Sequence, residues 1–332
     1  MKAFVTGSTG FIGSHLVREL LNDGHEARVL VRKGSNLSNI EGLGLETAFG
    51  DLRDYQGLLE ALRGCEILYH AAAHYSFWDR DKKLIYGINV DGTRNILRAA
   101  GECGLKRIVY TSTVGCIGIP EDGTPGNEDT PLKPQDASNP YKHSKYLAEL
   151  EAINFAADGL PVVIVNPSAP VGAMDIKPTP TGKVIVDFLN RKMPAYLDTG
   201  LNLIDVKDCA RGHILAAEKG RTGERYILGN QNMALREILE ALEEITGLPA
   251  PKFKIPYPIA LAAGYVSHFV SDYITHSPPA VPLPGVRMAK RKMFFDSSKA
   301  VRELGLPQNP VKEALKEAVE WYKGNGYVLI KR

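Results

Sequence analysis

The sequence predicts an α/β fold in which a parallel sheet is covered by helices on both faces. Short apolar runs alternate with segments of helical periodicity along the N-terminal half. Strands that alternate with helices in this way are typical of a doubly wound parallel sheet. The predicted strands cover residues 2–6, 26–32, 45–51, 66–73, 106–113 and 161–167.

The composition predicts which kinds of partner and ligand the protein lacks. The chain has 332 residues, is 44% hydrophobic, and carries 40 lysines and arginines against 38 aspartates and glutamates, so we expect no nucleic-acid partner. Its four cysteines form no Cys-x-x-Cys pair and lie near no histidine cluster, which predicts free thiols, no metal site and a cytoplasmic location. The strand directly after Met1 predicts that no signal peptide is present.

The most apolar stretch covers residues 257–270. It is short for a bilayer and contains His268, so we expect no integral membrane segment. We interpret it as a core helix or as a subunit contact in a possible homodimer. Contact of residues 257–274 with a membrane surface is the alternative.

A glycine-rich turn near the N-terminus indicates a dinucleotide site. Gly7, Gly10 and Gly13 stand between a predicted strand and an amphipathic helix, within one strand–helix–strand unit. Glycines there permit a tight turn, close approach of the pyrophosphate, and close packing of helix on strand. The free N–H groups of the helix start attract phosphate. The predicted turn contacts also include Thr9, Phe11 and Ile12.

Ligands of doubly wound sheets bind at the carboxyl ends of the strands, so residues at these ends are expected to converge on one crevice. The predicted cofactor contacts at or next to these ends are Asp51, Leu52, Ala71, Ala72, Ala73, Asn166, Pro167 and Ser168, and the predicted catalytic hydroxyls there are Ser112 and Thr113.

The end of the second strand predicts the choice of cofactor. NAD sites usually have an acidic residue there, which binds the ribose 2′-hydroxyl. This chain has Arg32, Lys33 and Ser35 instead. Because cations bind a 2′-phosphate that a carboxylate would repel, we expect NADP to be favoured, with NAD possible.

Tyr141 and Lys145 form the most specific catalytic pattern. Pro140 suits the first turn of a helix, and residues four apart share one helix face. A nearby ammonium lowers the pKa of a phenol, which prepares it for proton transfer while hydride moves at the adjacent carbon. We therefore expect a lowered Tyr141 pKa. Tyr146 has Leu150 four residues later and is not expected to act.

Seven motifs together resemble the extended short-chain dehydrogenase/reductases of the NAD-dependent epimerase/dehydratase superfamily. The chain is most similar to the dihydroflavonol-reductase-like group and its hopanoid-associated sugar epimerase branch, through residues 176–206 and 286–300. The seven motifs are TGSTGFIG (6–13), GDL (50–52), HAAA (70–73), INVDGT (88–93), YTST (110–113), YKHSK (141–145) and NP (166–167).

The resemblance implies a Rossmann-type fold and a catalytic constellation of Ser or Thr, Tyr and Lys. Thr113 matches the catalytic hydroxyl, with Ser112 beside it as the alternative. It also implies that Lys145 contacts the cofactor ribose and that Asn89 organises a helix near the cofactor.

The C-terminal half is expected to bind the substrate. We assign residues 1–168 and about 200–230 to the nucleotide-binding domain, and about 169–199 and 231–332 to a smaller, discontinuous substrate domain. Leu201 stands where sugar-nucleotide epimerases of this family have an arginine for the substrate pyrophosphate, which argues against a UDP-hexose. The tentative substrate contacts are His74, Tyr75, Phe77, Trp78, Thr113 and Met174.

Three functions remain open from the sequence. The first is reduction or oxidation of a carbonyl or alcohol on a small or lipid-like substrate. The second is sugar epimerisation or dehydration with a retained cofactor. The third is a dinucleotide sensor without catalysis, although the presence of both Tyr141 and Lys145 argues against it.

Overall fold

The computed structural model describes residues 1–75, 82–133, 136–137, 139–277, 279, 281 and 283–329. Among them, a seven-stranded parallel sheet has the order β10-β6-β5-β4-β1-β2-β3. The six predicted strands are confirmed, and β10 extends the sheet at one edge. The seven strands are β1 (Lys2–Thr6), β2 (Glu26–Val31), β3 (Glu46–Phe49), β4 (Ile67–His70), β5 (Arg107–Thr111), β6 (Val162–Pro167) and β10 (Arg225–Leu228).

Helices cover both faces of this sheet. Successive residues of a strand point to opposite faces, so Phe4 packs with helices α2, α4 and α5, and Val5 packs with α1 and α7. Burial of each such large apolar side chain contributes about 1.5–3 kcal/mol. The five helices are α1 (Phe11–Asn22), α2 (Tyr55–Leu62), α4 (Gly92–Glu102), α5 (Pro140–Ala157) and α7 (Val206–Lys219).

Helix α5 begins where the sequence predicts. Asn139 is its N-cap and accepts a hydrogen bond from the Lys142 N–H at 2.8 Å, while Pro140 occupies the first turn. Tyr141 therefore lies in the first turn of the helix, and Lys145 lies one turn later.

The second half of the chain builds a separate apolar core. A three-stranded sheet in the order β11-β9-β7 packs against three helices, and a two-stranded sheet pairs β12 with β8. The remaining strands are β7 (Ala169–Val171), β8 (Ala195–Leu197), β9 (Gly200–Asp205), β11 (Gln231–Ala234) and β12 (Phe253–Ile255). The remaining helices are α3 (Lys82–Tyr86), α6 (Pro180–Leu189), α8 (Leu235–Thr246), α9 (Tyr257–Val270), α10 (Leu283–Met288), α11 (Ser298–Leu304) and α12 (Val311–Gly324).

The segment 200–230, expected to return to the large sheet, divides between the two sheets. Helix α7 packs against the large sheet and β10 joins it, whereas β9 pairs with β7 and β11. The proposed domain bounds remain a prediction.

Two buried histidines join neighbouring elements. His213 on α7 lies 2.7 Å from the Cys209 carbonyl through Nδ1 and 3.0 Å from Thr111 Oγ1 through Nε2. Because a carbonyl only accepts, Nδ1 carries the proton and Nε2 accepts from the Thr111 hydroxyl. His70 on β4 is equally buried.

The free energy of unfolding should therefore fall in acid. Burial lowers the pKa of His70 to about 3 and that of His213 to about 4, from an ordinary value of 6.5. The unfolded chain binds more protons below about pH 6.5, so stability decreases from there towards about pH 4, by up to about 1.4 kcal/mol per pH unit for each histidine.

Denaturant unfolding of wild type and His213→Gln across this range measures the effect. The variant should lose one histidine's share of the slope, about 1.4 kcal/mol per pH unit, whatever its stability at neutral pH. An unchanged slope would contradict the buried neutral state of His213.

Candidate functional site

The glycine turn after β1 packs so tightly that its first and last glycines could not carry a side chain. Gly7 has φ +76°, and a Cβ there would lie 2.7 Å from the Ala71 carbonyl carbon and the Ala72 nitrogen. A Cβ on Gly13 would collide with the Gly7 carbonyl oxygen. Helix α1 follows, and its N-cap Gly10 makes no side-chain cap. The first N–H groups of α1 are therefore available for an anion.

A cavity of about 700 Å³ extends from this turn along the carboxyl ends of the central strands. It brings together most of the residues predicted from the turn and from the ends of β2, β3 and β4. The predicted residues that line it are Gly7, Thr9, Gly10, Phe11, Arg32, Lys33, Ser35, Asp51, Leu52, Ala71, Ala72, Ala73, His74 and Tyr75.

Two basic side chains directly after β2 line the cavity wall. Arg32 and Lys33 line it together with Ser35, as the sequence predicts. Asp51 lines the same wall but is bound by Arg53 through two hydrogen bonds of 2.8 and 2.9 Å. The Arg53 hydrogen bond lowers the pKa of Asp51. The negative charge of Asp51 is therefore already compensated from outside the cavity.

Part of the cavity wall was not predicted from the sequence. Residues 175–177 and Thr179, on the loop between β7 and α6, also line the cavity, together with Asn39. Asn39 Nδ2 donates to the Met174 carbonyl at 3.1 Å and to the Thr9 carbonyl at 3.3 Å. His15 Nε2 lies 3.0 Å from the Ala173 carbonyl. The N-terminal half thus holds this loop across the cleft.

Asp175, on this loop, connects it to helix α12. Its carboxylate accepts from the Thr179 N–H and hydroxyl, both at 2.8 Å, and from the Tyr322 hydroxyl on α12 at 2.9 Å. Burial raises the pKa of Asp175, although these hydrogen bonds oppose the shift. The only sequence signal for this wall is the proline- and glycine-rich composition of residues 168–182.

A chain of hydrogen bonds runs under the turn. The Ala72 N–H donates to Thr6 Oγ1 at 3.1 Å, and Thr6 Oγ1 lies 2.7 Å from His70 Nδ1. His70 Nε2 lies 3.1 Å from Thr93 Oγ1, whose hydroxyl donates to the Asn89 carbonyl at 2.7 Å. Because each hydroxyl has one hydrogen, Thr6 donates to Nδ1 and Nε2 carries the histidine proton.

Asn89 continues this chain to helix α5. Its side-chain oxygen accepts from the His74 N–H at 2.7 Å, and its amide donates to the His74 carbonyl at 3.1 Å and to Ser144 Oγ at 2.9 Å. Ser144 Oγ donates to the Tyr141 carbonyl at 2.8 Å. Asn89, placed in a π-helical turn over Gly87–Asp91 and buried, thus ties the end of β4 to the first turn of α5.

Tyr141 lies beside the cavity wall. Its ring meets that of Tyr75 edge-on at a centroid distance of 4.5 Å. Burial raises the pKa of Tyr141. The expectation that this pKa is lowered is therefore wrong for the chain by itself, because loss of solvent disfavours the phenolate.

Lys145 is buried, and its Nζ donates to the Tyr110 hydroxyl at 3.0 Å and to the Thr111 carbonyl at 2.8 Å. Burial lowers its pKa to about 8, while Cys116 and Glu149 act in the opposite direction. The ammonium is thus held against the end of β5.

The two candidate hydroxyls have different surroundings. Ser112 is buried and its hydroxyl donates to Cys116 Sγ at 3.4 Å. Thr113 is half-buried, and its Oγ1 accepts from the Gly115 N–H at 3.1 Å. The Gly115 contact does not use the Thr113 hydroxyl hydrogen, whereas the Ser112 hydroxyl donates to Cys116 in the interior.

Several predicted cofactor contacts lie behind the cavity rather than in its wall. Asn166 is fully buried and donates to the Thr113 carbonyl at 3.0 Å and to Glu149 Oε2 at 2.7 Å, so it positions Thr113. Gly13 packs on the turn, and Ile12 packs on the apolar core. Pro167 ends β6, and Ser168 bonds through its N–H to the Leu228 carbonyl at 3.0 Å.

The tentative substrate contacts are only partly described. His74 and Tyr75 line the cavity. Met174 lies on the loop between β7 and α6, part of which lines the cavity, and has φ 72°. Phe77 and Trp78 lie outside the described residues. Leu201 on β9 packs against the second apolar core and pairs with Met233. Within the described ranges, no group of three or more metal-binding side chains occurs.

Comparison with known proteins identifies the family. Residues 3–229 match the family described as NAD dependent epimerase/dehydratase. A Synechocystis sp. protein provisionally named dihydroflavonol 4-reductase is 49% identical, over 98% of this chain and 95% of the relative. Sterol demethylase protein B of Methylococcus capsulatus is 34% identical, over 99% of this chain and 100% of the relative.

A solved structure agrees over the whole fold. The crystal structure of gox2253 superposes with a TM-score of 0.87 at 42% identity, covering 98% of this chain and 99% of that one. The sheet order, the glycine turn and these matches agree, and the chain belongs to the NAD dependent epimerase/dehydratase family, as an NAD(P)-dependent enzyme of the extended short-chain dehydrogenase/reductase superfamily.

Proposed function

We propose that the protein is an NADP-dependent oxidoreductase that moves hydride between its cofactor and a carbonyl or alcohol of a small or lipid-like substrate. The observation that carries this proposal is the contact between Tyr75, in the wall of the dinucleotide cleft, and Tyr141. It places a phenol beside the cleft, at the start of a helix that also carries Lys145.

The cofactor would lie along the carboxyl ends of the strands. The turn at Gly7 and the start of α1 fit a pyrophosphate, because the backbone is exposed at the glycines and a Cβ at Gly7 or Gly13 would collide with backbone. Arg32 and Lys33 would hold a ribose 2′-phosphate through charge-assisted hydrogen bonds, with Ser35 beside them. When bound, the dinucleotide supplies or accepts the hydride at its nicotinamide ring.

Tyr141 is the proposed proton donor in the direction of reduction. Its raised pKa keeps the phenol protonated at neutral pH, so it donates to the substrate oxygen as the adjacent carbon is reduced. Thr113 would orient that oxygen, since Asn166 and Gly115 fix its backbone and hydroxyl. Lys145, one helix turn after Tyr141, would supply a positive charge that favours the deprotonated phenol after transfer.

An apolar substrate is supported by one residue of this chain and by the names of two relatives. Leu201, in place of a pyrophosphate-binding arginine, packs in an apolar core. The two relatives are named for a dihydroflavonol and for sterol demethylation. We assign residues 1–168 and about 200–230 to cofactor binding and the remainder to substrate binding, although β9 and the loop after β7 contribute across this boundary.

The cellular setting is also a proposal. The four cysteines are free thiols, which is compatible with the reducing cytoplasm. A homodimer is part of this proposal.

Sugar epimerisation or dehydration with retained cofactor is the second candidate, because the family name covers both. The two functions differ in stoichiometry. Net consumption of NADPH with substrate marks the reductase, whereas return of the hydride to the same molecule leaves the cofactor unchanged.

Arg32→Asp should reverse the preference for NADP over NAD. The loss of one charge-assisted hydrogen bond to phosphate, about 1.5–3 kcal/mol, corresponds to a roughly 10- to 100-fold weaker Kd for NADP. Titration of both cofactors into wild type and variant measures it. Arg302→Asp, on the exposed side of α11, should leave both affinities unchanged. A wild-type preference for NAD would contradict the 2′-phosphate assignment.

Tyr141→Phe should retain cofactor affinity and lose about 10²- to 10⁴-fold in kcat, the usual contribution of a general acid. Turnover of a carbonyl substrate found by screening, with NADPH absorbance as readout, measures it. Tyr146→Phe, on the same helix, is the matched control and should be nearly neutral. Equal losses in both variants would remove Tyr141 from the reaction.

UDP-galactose should be a poor substrate. Without the pyrophosphate arginine, a doubly charged linkage has no charge-assisted clamp at Leu201, so we expect no efficient conversion to UDP-glucose. Incubation with catalytic amounts of NAD or NADP and chromatography of the sugar nucleotides measures this. Efficient interconversion would favour the epimerase over the reductase.

A further inference from the structure

We term the described residues of the segment 251–293 the arm, which joins the rest of the chain where β12 pairs with β8 and where Met293 bridges to Leu201. The arm contains β12, α9, a π-helical turn over Ser271–Thr275, and α10. Helices α9 and α10 meet through small residues: Ala260, Gly264 and Ser271 are buried, and a Cβ on Gly264 would lie 3.2 Å from Leu283 Cδ1. One face of α9 is therefore occupied by α10.

The outward face of α9 is apolar. Ile259 and Val266 are seven residues apart and so share one side of α9, and Tyr273 follows in the π-helical turn; these residues are 62%, 63% and 72% exposed. Phe269 joins them and stacks with Tyr273 at a centroid distance of 4.9 Å. A helix of a globular protein normally turns such a stripe towards the core. A contiguous exposed stripe of this kind marks an interaction surface.

The charge of the arm differs from that of the rest of the chain. The arm has six lysines and arginines against the single acidic residue Asp272, a formal charge of +5, whereas the whole chain carries +2, which leaves −3 for the remainder. Four of these cations lie within or directly after α10: Arg287, Lys290, Arg291 and Lys292. Arg287 donates to the Tyr265 hydroxyl of α9 at 3.0 Å. Positive charge therefore lies next to the apolar stripe.

We propose that the arm binds the surface of an anionic lipid bilayer, with the stripe at the boundary of headgroups and acyl chains and the basic residues on lipid phosphates. Exposed apolar side chains beside clustered lysine and arginine are the two components of such binding. Among the described residues, no helix is long and apolar enough to cross a bilayer. The 14 residues of α9 span about 21 Å, which suits a position within the interface.

A second copy of the chain fits this surface less well. A twofold interface places the same patch on both subunits, so an arm of charge +5 would face another of charge +5. An anionic bilayer instead neutralises these charges while it covers the apolar stripe.

The base of the arm adjoins the proposed site. Arg291 Nη1 lies 3.6 Å from Asp136 Oδ2. Burial lowers the pKa of Lys142, the residue after Tyr141, and Arg291 lowers it further, while Asp136 opposes the shift. If the proposed function holds, bilayer binding would bring the start of α5 close to a lipid-like substrate; binding itself does not depend on that function.

Flotation with vesicles tests the proposal. We expect wild type to float with vesicles of equimolar phosphatidylcholine and phosphatidylglycerol, less with phosphatidylcholine alone, and less at high salt. Val266→Glu places a charge in the stripe and should reduce partitioning roughly tenfold or more. Val301→Glu, the same change at an exposed valine of α11, is the matched control and should partition like wild type.

The basic residues require a separate variant. Lys290→Gln with Lys292→Gln should reduce partitioning to anionic vesicles roughly 25-fold, about fivefold for each charge, and change little with phosphatidylcholine alone. Thermal melting and NADPH binding without vesicles show that each variant is folded. These measurements also separate a failure of bilayer binding from a failure of the proposed oxidoreductase.

Three results would overturn the proposal. The first is a folded wild type that does not bind anionic vesicles. The second is an equal loss of partitioning in Val266→Glu and Val301→Glu. The third is a dimer in analytical ultracentrifugation that Val266→Glu disperses, which would assign the stripe to a second copy of the chain.

Discussion

The neutral imidazole of His70 joins the two parts of the candidate site. It accepts from Thr6, which receives the Ala72 N–H beside the glycine turn, and donates to Thr93, which bonds the backbone of Asn89. Asn89 in turn bonds Ser144, and so the first turn of α5. Every hydrogen in this chain points the same way. Protonation of His70 would give Nδ1 a hydrogen, so Thr6 Oγ1 could no longer donate to it and the direction of this bond would have to reverse.

Electrostatics keeps the proton off His70. Burial lowers its pKa to about 3, and the Lys145 ammonium adds to that shift. Lys145 itself is held by the Tyr110 hydroxyl and the Thr111 carbonyl, and the rings of His70 and Tyr110 lie 5.7 Å apart. A neutral histidine and a charged lysine are thus the compatible pair in this interior. The neutral state of His70 and the charged state of Lys145 therefore help to position both β1, which leads into the glycine turn, and α5, which carries Tyr141.

The sequence predicts the parts of this site that depend on local pattern. The strands, the glycine turn, the start of α5 at Pro140 and the cations after β2 depend on periodicity, sterics and strand ends, all of which can be read along the chain. The direction in which the Tyr141 pKa is shifted cannot be read along the chain, because burial depends on what packs around the phenol. Asn166 lies at a strand end as predicted, yet its side chain turns inward to Glu149, which only the packing of α5 against β6 decides.

The wall formed by the loop after β7 shows most clearly what the sequence leaves open. Met174 adopts φ 72°, a left-handed conformation that costs a non-glycine residue about 1–3 kcal/mol and persists only where other contacts hold it. Those contacts come from distant segments: Asn39 donates to the Met174 carbonyl, and Tyr322, near the other end of the chain, donates to Asp175. Neither partner has a spacing that identifies it. Because the loop lines the same cavity as Arg32 and Lys33, the wall of this cavity is formed by residues from both halves of the chain. A ligand that fills this cavity would therefore contact both halves, and its binding would stabilise their packing against each other.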